Sequence, residues 1–238
     1  MPARSTQYDL IVTSYRDDPT ARAALLEQTA ESVRRAQKIY SLAYRRWEEL
    51  TLSSASRVLR VRDRVVVGLG EASILEVGLT LHGTYGVPVI RGSALKGLAA
   101  HYCASICGAE EPRFKLSGDD YLVLFGDTGD SGYLIFHDAW ILPEDVNRGV
   151  VKDVMTPHHQ AYYSSGGQTP PTDFDDPNPV TFLAVAGRFR FAVECQDDGA
   201  TGQACAQLGL DLLSQALQTW GVGGKTNAGY GRFEETNR

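Results

Sequence analysis

Apolar residues along this chain recur at helical spacing in two long stretches and alternate with polar residues in several short ones. Val33, Ala36, Tyr40, Ala43, Trp47 and Leu50 follow one another at alternating steps of three and four, the spacing of a helix that lays one seam against another element. Asp17-Asp18-Pro19-Thr20 reads as its start, since a proline one position inside a polar cap suits a first helical turn. Arg34, Lys38 and Arg45 share a different face of that helix, either solvated or turned to RNA or a partner. Ahead of it, 8–13 is a short apolar run that suits an edge strand. Over 57–68, Leu59, Val61, Val65 and Val67 alternate with Val58, Arg60, Arg62 and Arg64, which predicts a strand with a basic side open to a ligand. A second strand is expected at 74–82, closed by a turn through Gly83 and Pro88.

Further strands are expected at 133–142, 181–194 and 229–234. Between them, Ala204, Leu208, Leu212, Ala216, Leu217 and Trp220 form the stripe of a helix over 203–220. Another helix is expected from Ala94 to about Cys107, with Ser93 as its N-cap. The unpaired N–H groups and the dipole at such a start attract anions, and Arg91, Gly92, Ser93 and Lys96 together make a candidate phosphate site there.

The C-terminal helix runs into 221–233, which holds Gly221, Gly223, Gly224, Gly229 and Gly231. Glycines reach positive φ and let a ligand approach bare N–H groups. Lys225 and Arg232 add cations, Thr226 and Asn227 neutral donors, and Tyr230 an aromatic face, a mixture suited to phosphate, sugar and base. A plain helix-to-strand turn with no ligand is the competing reading. Gly224-Lys225-Thr226 imitates the end of a nucleotide-binding P-loop, but the first glycine of that motif is replaced by Thr219, and a helix precedes the loop where the motif needs a strand.

Charge and composition change this picture in two places. The net charge is −6, yet 31–64 carries nine Lys/Arg against four Asp/Glu while 110–145 carries nine Asp/Glu against two Lys/Arg. A basic stretch can bind phosphates while an acidic one meets a partner or solvent. Hydrophobic residues make up 43%, enough for a sizeable core, and the absence of a signal-type or membrane-length apolar run points to a cytoplasmic protein. Cys103, Cys107, Cys195 and Cys205 do not form paired C-x-x-C motifs and read as buried free thiols. The connection at 150–180 is rich in proline and holds His158, His159, Tyr162 and Tyr163. Adjacent histidines on a strand point to opposite faces and do not sit at a usual ligand spacing, so neither a metal nor a catalytic residue is assigned. The tyrosines suit base stacking or subunit contact.

Pro88-Val89-Ile90-Arg91-Gly92-Ser93-Ala94-Leu95-Lys96-Gly97-Leu98 and the late glycine-rich loop together resemble the RAMP superfamily of CRISPR proteins. Leu124-Phe125-Gly126 and the following 132–139 are similar to that family's next elements, and the segment from Asp153 to Tyr163 resembles one branch in particular, subunits of the type III-B (Cmr) effector complex. The likeness covers about 65–233. One departure is Arg91-Gly92, where many members have Pro-Gly. The resemblance implies an α+β fold with a ferredoxin-like core of the modified RNA-recognition-motif type, here a single RAMP domain over 1–238 with an N-terminal helical extension (1–56) and an inserted loop (150–180). It also implies a non-catalytic RNA-binding subunit without a cofactor, holding the 3′ side of a guide RNA, with target RNA, a catalytic backbone subunit and a small helical subunit as partners and no membrane. The alternatives are a metal-independent endoribonuclease of the same superfamily, using His158, His159 or His82 with Lys225, and a nucleotide-binding enzyme.

Overall fold

A computed structural model describes residues 19–68, 79–156, 159–172, 175 and 179–236. The expected strand at 8–13, most of the one at 74–82, and His158 lie outside these residues. In chain order the elements are α1 (Pro19–Leu50), β1 (Ala55–Val61), β2 (Val89–Ile90), α2 (Gly92–Tyr102), α3 (Asp119–Phe125), β3 (Leu134–Phe136), β4 (Ala139–Ile141), α4 (Val146–Gly149), β5 (Val150–Met155), α5 (Gln160–Ser164), β6 (Val180–Val185), β7 (Arg188–Cys195), α6 (Gly199–Thr219) and β8 (Phe233–Glu235). The helix expected to run to Cys107 continues past α2 as a wider π-helical turn, Cys103–Cys107.

The main sheet has the order β2-β4-β7-β1-β8, with β3 also on β7, and its pairs are antiparallel. Leu59 lies opposite Phe189 and Val61 opposite Phe233, so one face carries Leu59, Val61, Ile141, Phe189, Phe191, Val193 and Phe233, all buried. Helix α6 packs there so closely that a Cβ on Gly209 would stand 2.9 Å from a Leu134 methyl. The opposite face carries Val58, Arg60, Trp140, Arg188 and Arg190. Helix α1 lies across part of it: the rings of Tyr40 and Trp47 stack on Trp140 at 5.6 and 5.3 Å, and the Tyr40 hydroxyl donates to the Ile141 carbonyl at 2.5 Å.

Several expectations change, among them the strand expected at 57–68, which ends at Val61, and the one expected at 133–142, which is the two short strands β3 and β4. Leu50 is 79% exposed and leaves the α1 seam, because the helix ends there beyond the Trp140 stack. The basic side of β1 is not an open cationic surface: Arg60 bonds Glu234 at 2.6 Å, and its neighbours Arg188 and Arg190 bond Asp145 at 2.8 Å and Glu48 at 2.6 Å. The strand expected at 181–194 is two strands. The chain turns at Ala186 and Gly187, whose φ is 113°, so β6 leaves the main sheet and pairs with β5 in a separate hairpin. That pairing makes the first residues of the 150–180 connection a strand. Finally, the strand expected from 229 begins at Phe233, since the residues before it are turn.

Candidate nucleic-acid interface

Helix α6 ends at Thr219, and Trp220 wedges against His101 and Tyr102 at the far end of α2. The chain then makes three backbone ties. Val222 N–H donates to the Gly231 carbonyl at 2.9 Å, Gly231 N–H to the Arg64 carbonyl at 2.7 Å, and Gly224 N–H to the Val66 carbonyl at 2.8 Å. Gly223 and Gly231 have φ of 91° and 73°, and a Cβ on either would overlap a backbone carbonyl oxygen, that of Val66 or of Val222. These glycines therefore answer to sterics inside the protein, and the amides of Val222, Gly224 and Gly231 are already used. The part left projecting is a single 3₁₀ turn, Thr226–Ala228, between Lys225 and Gly229, both in the left-handed region. Lys225 and Ser117 are the non-glycine residues with positive φ among the described residues. Asn227, Ala228 and Gly229 are exposed, and the Lys225 ammonium rests against the Met155 sulfur.

Beneath this turn, the Asp153 carboxylate joins three parts of the chain. Its Oδ2 accepts from the Tyr230 hydroxyl and from Arg64 Nη1, each at 2.7 Å, and its Oδ1 accepts from Val154 N–H at 2.8 Å. Burial pushes the Asp153 carboxyl upward, but these hydrogen bonds together outweigh it and hold it below the usual carboxylate value. Burial, with the anion beside it, pushes the Tyr230 phenol up to about 12. The Tyr230 ring also packs on Phe182, 6.1 Å between centroids. Arg232 contributes its carbonyl to Arg62 N–H at 2.8 Å, and its Nε is buried with no partner among the described residues.

The helix start at 91–93 is built differently from the expectation. Arg91 is the N-cap, and Ser93 is an exposed second residue of α2 rather than its cap. The anion there is internal: Gly92 N–H donates to Asp138 Oδ1 at 2.7 Å, and Arg91 pairs with Asp138 Oδ2 at 3.4 Å. A side chain on Gly92 would overlap the Phe136 carbonyl. Lys96 is half-buried one turn on. Trp220, just ahead of the glycine loop, touches the C-terminal end of this 11-residue helix, about 15 Å from its start at 1.5 Å per residue.

Residues 58–234, from β1 to β8, match the sequence profile of the RAMP superfamily. The chain belongs to the RAMP superfamily. This RAMP chain is similar to the CRISPR system Cmr subunit Cmr6 of Pyrococcus furiosus, 27% identical over 260 aligned residues that cover 85% of this chain and 76% of that protein. Its fold is similar to a chain in the cryo-EM structure of the type III-B Cmr-beta complex bound to cognate target RNA, with a TM-score of 0.62 at 21% identity. That superposition covers 84% of this chain, which spans 65% of the length of that one. The crystal structure of Cmr6 from Pyrococcus furiosus also matches, at 27% identity and a TM-score of 0.49, over 77% of this chain and 98% of that one.

Other candidate residues of the RAMP chain are dispersed. His159 has a carboxylate partner: its Nδ1 stands 2.8 Å from Asp175 Oδ2, and Asp175 also accepts from the Thr172 hydroxyl. Tyr163 is 72% exposed with Tyr162 edge-on to it. His82 packs among Tyr85 and Trp140, and burial lowers its pKa. Of the four free thiols expected to be buried, Cys103 is, and Cys107, Cys195 and Cys205 are half-buried; burial pushes Cys103 up to about 12, and burial with the Cys195 thiol beside it pushes Cys205 up to about 11, which disfavours their thiolates. Among the described residues no three His, Cys, Asp or Glu side chains gather as metal ligands, and no helix is long and apolar enough to cross a membrane. A helix precedes Gly224-Lys225-Thr226 and only a 3₁₀ turn follows it, so the strand–loop–helix context of a P-loop is not present there.

Proposed function

We propose that this chain is a non-catalytic RNA-binding subunit of a type III-B CRISPR ribonucleoprotein, holding the 3′ side of the guide RNA at one end of the filament for interference with target RNA. One observation carries the reading: an exposed turn, Asn227 to Gly229, with the half-buried Lys225 at its base, is held by backbone ties on a chain that resembles Cmr6 over 85% of its length. A non-glycine residue in the left-handed region is strained by about 1–2 kcal/mol, and such strain gathers where function uses it. In this role Lys225 meets a phosphate, Thr226 and Asn227 offer neutral donors, and Arg91, Ser93 and Lys96 meet the backbone further along, Arg91 by exchanging Asp138 for phosphate. Exposed Tyr163 stacks on a base or on a neighbouring subunit. The catalytic backbone subunit and the small helical subunit are the protein neighbours, and the assembly works in the cytoplasm.

The element order β1, α2, β4, β7, α6, β8 with the spatial order β4-β7-β1-β8 supports a ferredoxin-like core. We read the chain as one domain, with 1–56 as a helical extension and 150–180 as an insertion. No catalytic residue is assigned. The His159–Asp175 pair is the one observation on the side of an endoribonuclease, and metal-independent cutting of a guide precursor that is lost in His159→Ala would decide for it. The direct test is isolation of the native protein from its own cells, with mass spectrometry of its partners and sequencing of its RNA. Guide RNA and type III-B subunits are expected; an RNA-free protein outside any such complex would overturn the proposal.

A further inference from the structure

We propose that Asp153, through Tyr230 and Arg64, is a positioning residue that delivers Lys225 to the RNA, an inference that rests on the reading of the glycine loop above. Arg64 and Tyr230 lie 89 and 77 residues from Asp153 in sequence and meet on one oxygen of its carboxylate, each at 2.7 Å. The carboxylate is 16% exposed, so the shared bonds are little diluted by water. Arg64 holds the loop twice, by its guanidinium through Asp153 and by its carbonyl through Gly231 N–H. On the other side of the turn, Gly224 is fixed to Val66. Lys225 is the next residue, and its left-handed backbone is imposed between these two anchors. Asp153 also belongs to β5, so the loop is fastened to the hairpin of β5 and β6. Phe182, on the other strand of that hairpin, packs against the Tyr230 ring.

This assigns Tyr230 a role its sequence position did not suggest. Its ring faces Phe182 and its hydroxyl faces Asp153, so the hydroxyl rather than an open aromatic face is what the loop needs. Tyr230→Phe separates the two roles, because it keeps the ring and deletes only the bond to Asp153. Asp153→Asn keeps the shape of the side chain and removes its charge.

The experiment measures guide-RNA affinity of the assembled complex against salt concentration at 25 °C, with melting curves for each variant. The variants are Lys225→Ala, Tyr230→Phe, Asp153→Asn, and each of the last two combined with Lys225→Ala. Lys225→Ala is expected to weaken binding by about tenfold or less and lower the salt slope by about one phosphate. Tyr230→Phe and Asp153→Asn are expected to lower the slope by the same amount, and adding Lys225→Ala to either is expected to cost nothing more. A role in stability alone would lower the melting temperature while leaving the slope and the full Lys225 effect in place, which would overturn the proposal. Parental affinity in Tyr230→Phe would overturn it as well. If Lys225→Ala itself changes neither affinity nor slope, the reading of the loop as an RNA contact fails, and the positioning role fails with it.

Discussion

Gly231 and Gly229 both have positive φ, 73° and 93°, but only Gly231 is crowded: a Cβ there meets the Val222 carbonyl, whereas nothing lies within 4 Å of one on Gly229. Alanine at either position carries the left-handed penalty of about 1–2 kcal/mol, partly offset in both by the smaller entropy of the unfolded chain, about 0.4–1 kcal/mol. At Gly231 the overlap adds an overpacking cost of about 1–3 kcal/mol, because the obstructing atom is backbone tied into the turn and cannot rotate away. For a domain of this size each kcal/mol moves the melting temperature by about 2–4 °C. Gly231→Ala is therefore expected to melt below Gly229→Ala by about 2–12 °C. Differential scanning calorimetry on the two variants and the parent reads this directly. Equal melting temperatures would refute the argument that these glycines are demanded by backbone packing, and would restore the view that they serve to bare their amides.

Tyr40→Phe removes the hydroxyl that bonds the Ile141 carbonyl in a fully buried setting, and chemical denaturation should show a loss of about 1–3 kcal/mol. At Asp145, burial pushes the carboxyl up, but the Arg188 guanidinium and N–H together outweigh it and hold the group below its ordinary 3.8. A depressed carboxylate contributes stability that is present above its unfolded value and lost as pH falls through its folded one. Denaturation of Asp145→Asn against the parent across acidic pH should therefore show a difference that shrinks as pH drops below that ordinary value. A difference independent of pH would contradict the assigned partner.

The two long helices were legible because their apolar residues keep the helical period, as Val33 to Trp47 do in α1 and Leu212, Ala216 and Leu217 do in α6, although Ala204 and Leu208 of that second stripe are exposed. That period cannot tell where the partner surface stops, which is why Leu50 looked like seam and is solvent. The split between β6 and β7 was hidden because 180–195 is nearly continuous in apolar residues, and only the turn at Gly187 redirects the strand. The glycine loop was found and its chemistry was not. A glycine needed for clearance reads the same as one that bares an amide, until Val66 and Val222 are seen beside it. Asp138 and Asp153 carry the two candidate clusters through partners at least 46 residues away in sequence, a distance over which spacing along one chain holds no signal. The basic stripe on β1 misled for the same reason, since Glu234 arrives from the other end of the protein.

The central claim is that RNA meets the turn from Lys225 to Gly229. Ultraviolet crosslinking of the guide in the intact ribonucleoprotein, with the crosslinked peptides mapped by mass spectrometry, tests it most directly. Crosslinks within the peptide spanning Lys225 to Tyr230 are the expected result. Crosslinks confined to the Arg60, Arg188 and Glu234 side of the sheet, with the turn left clean, would contradict it.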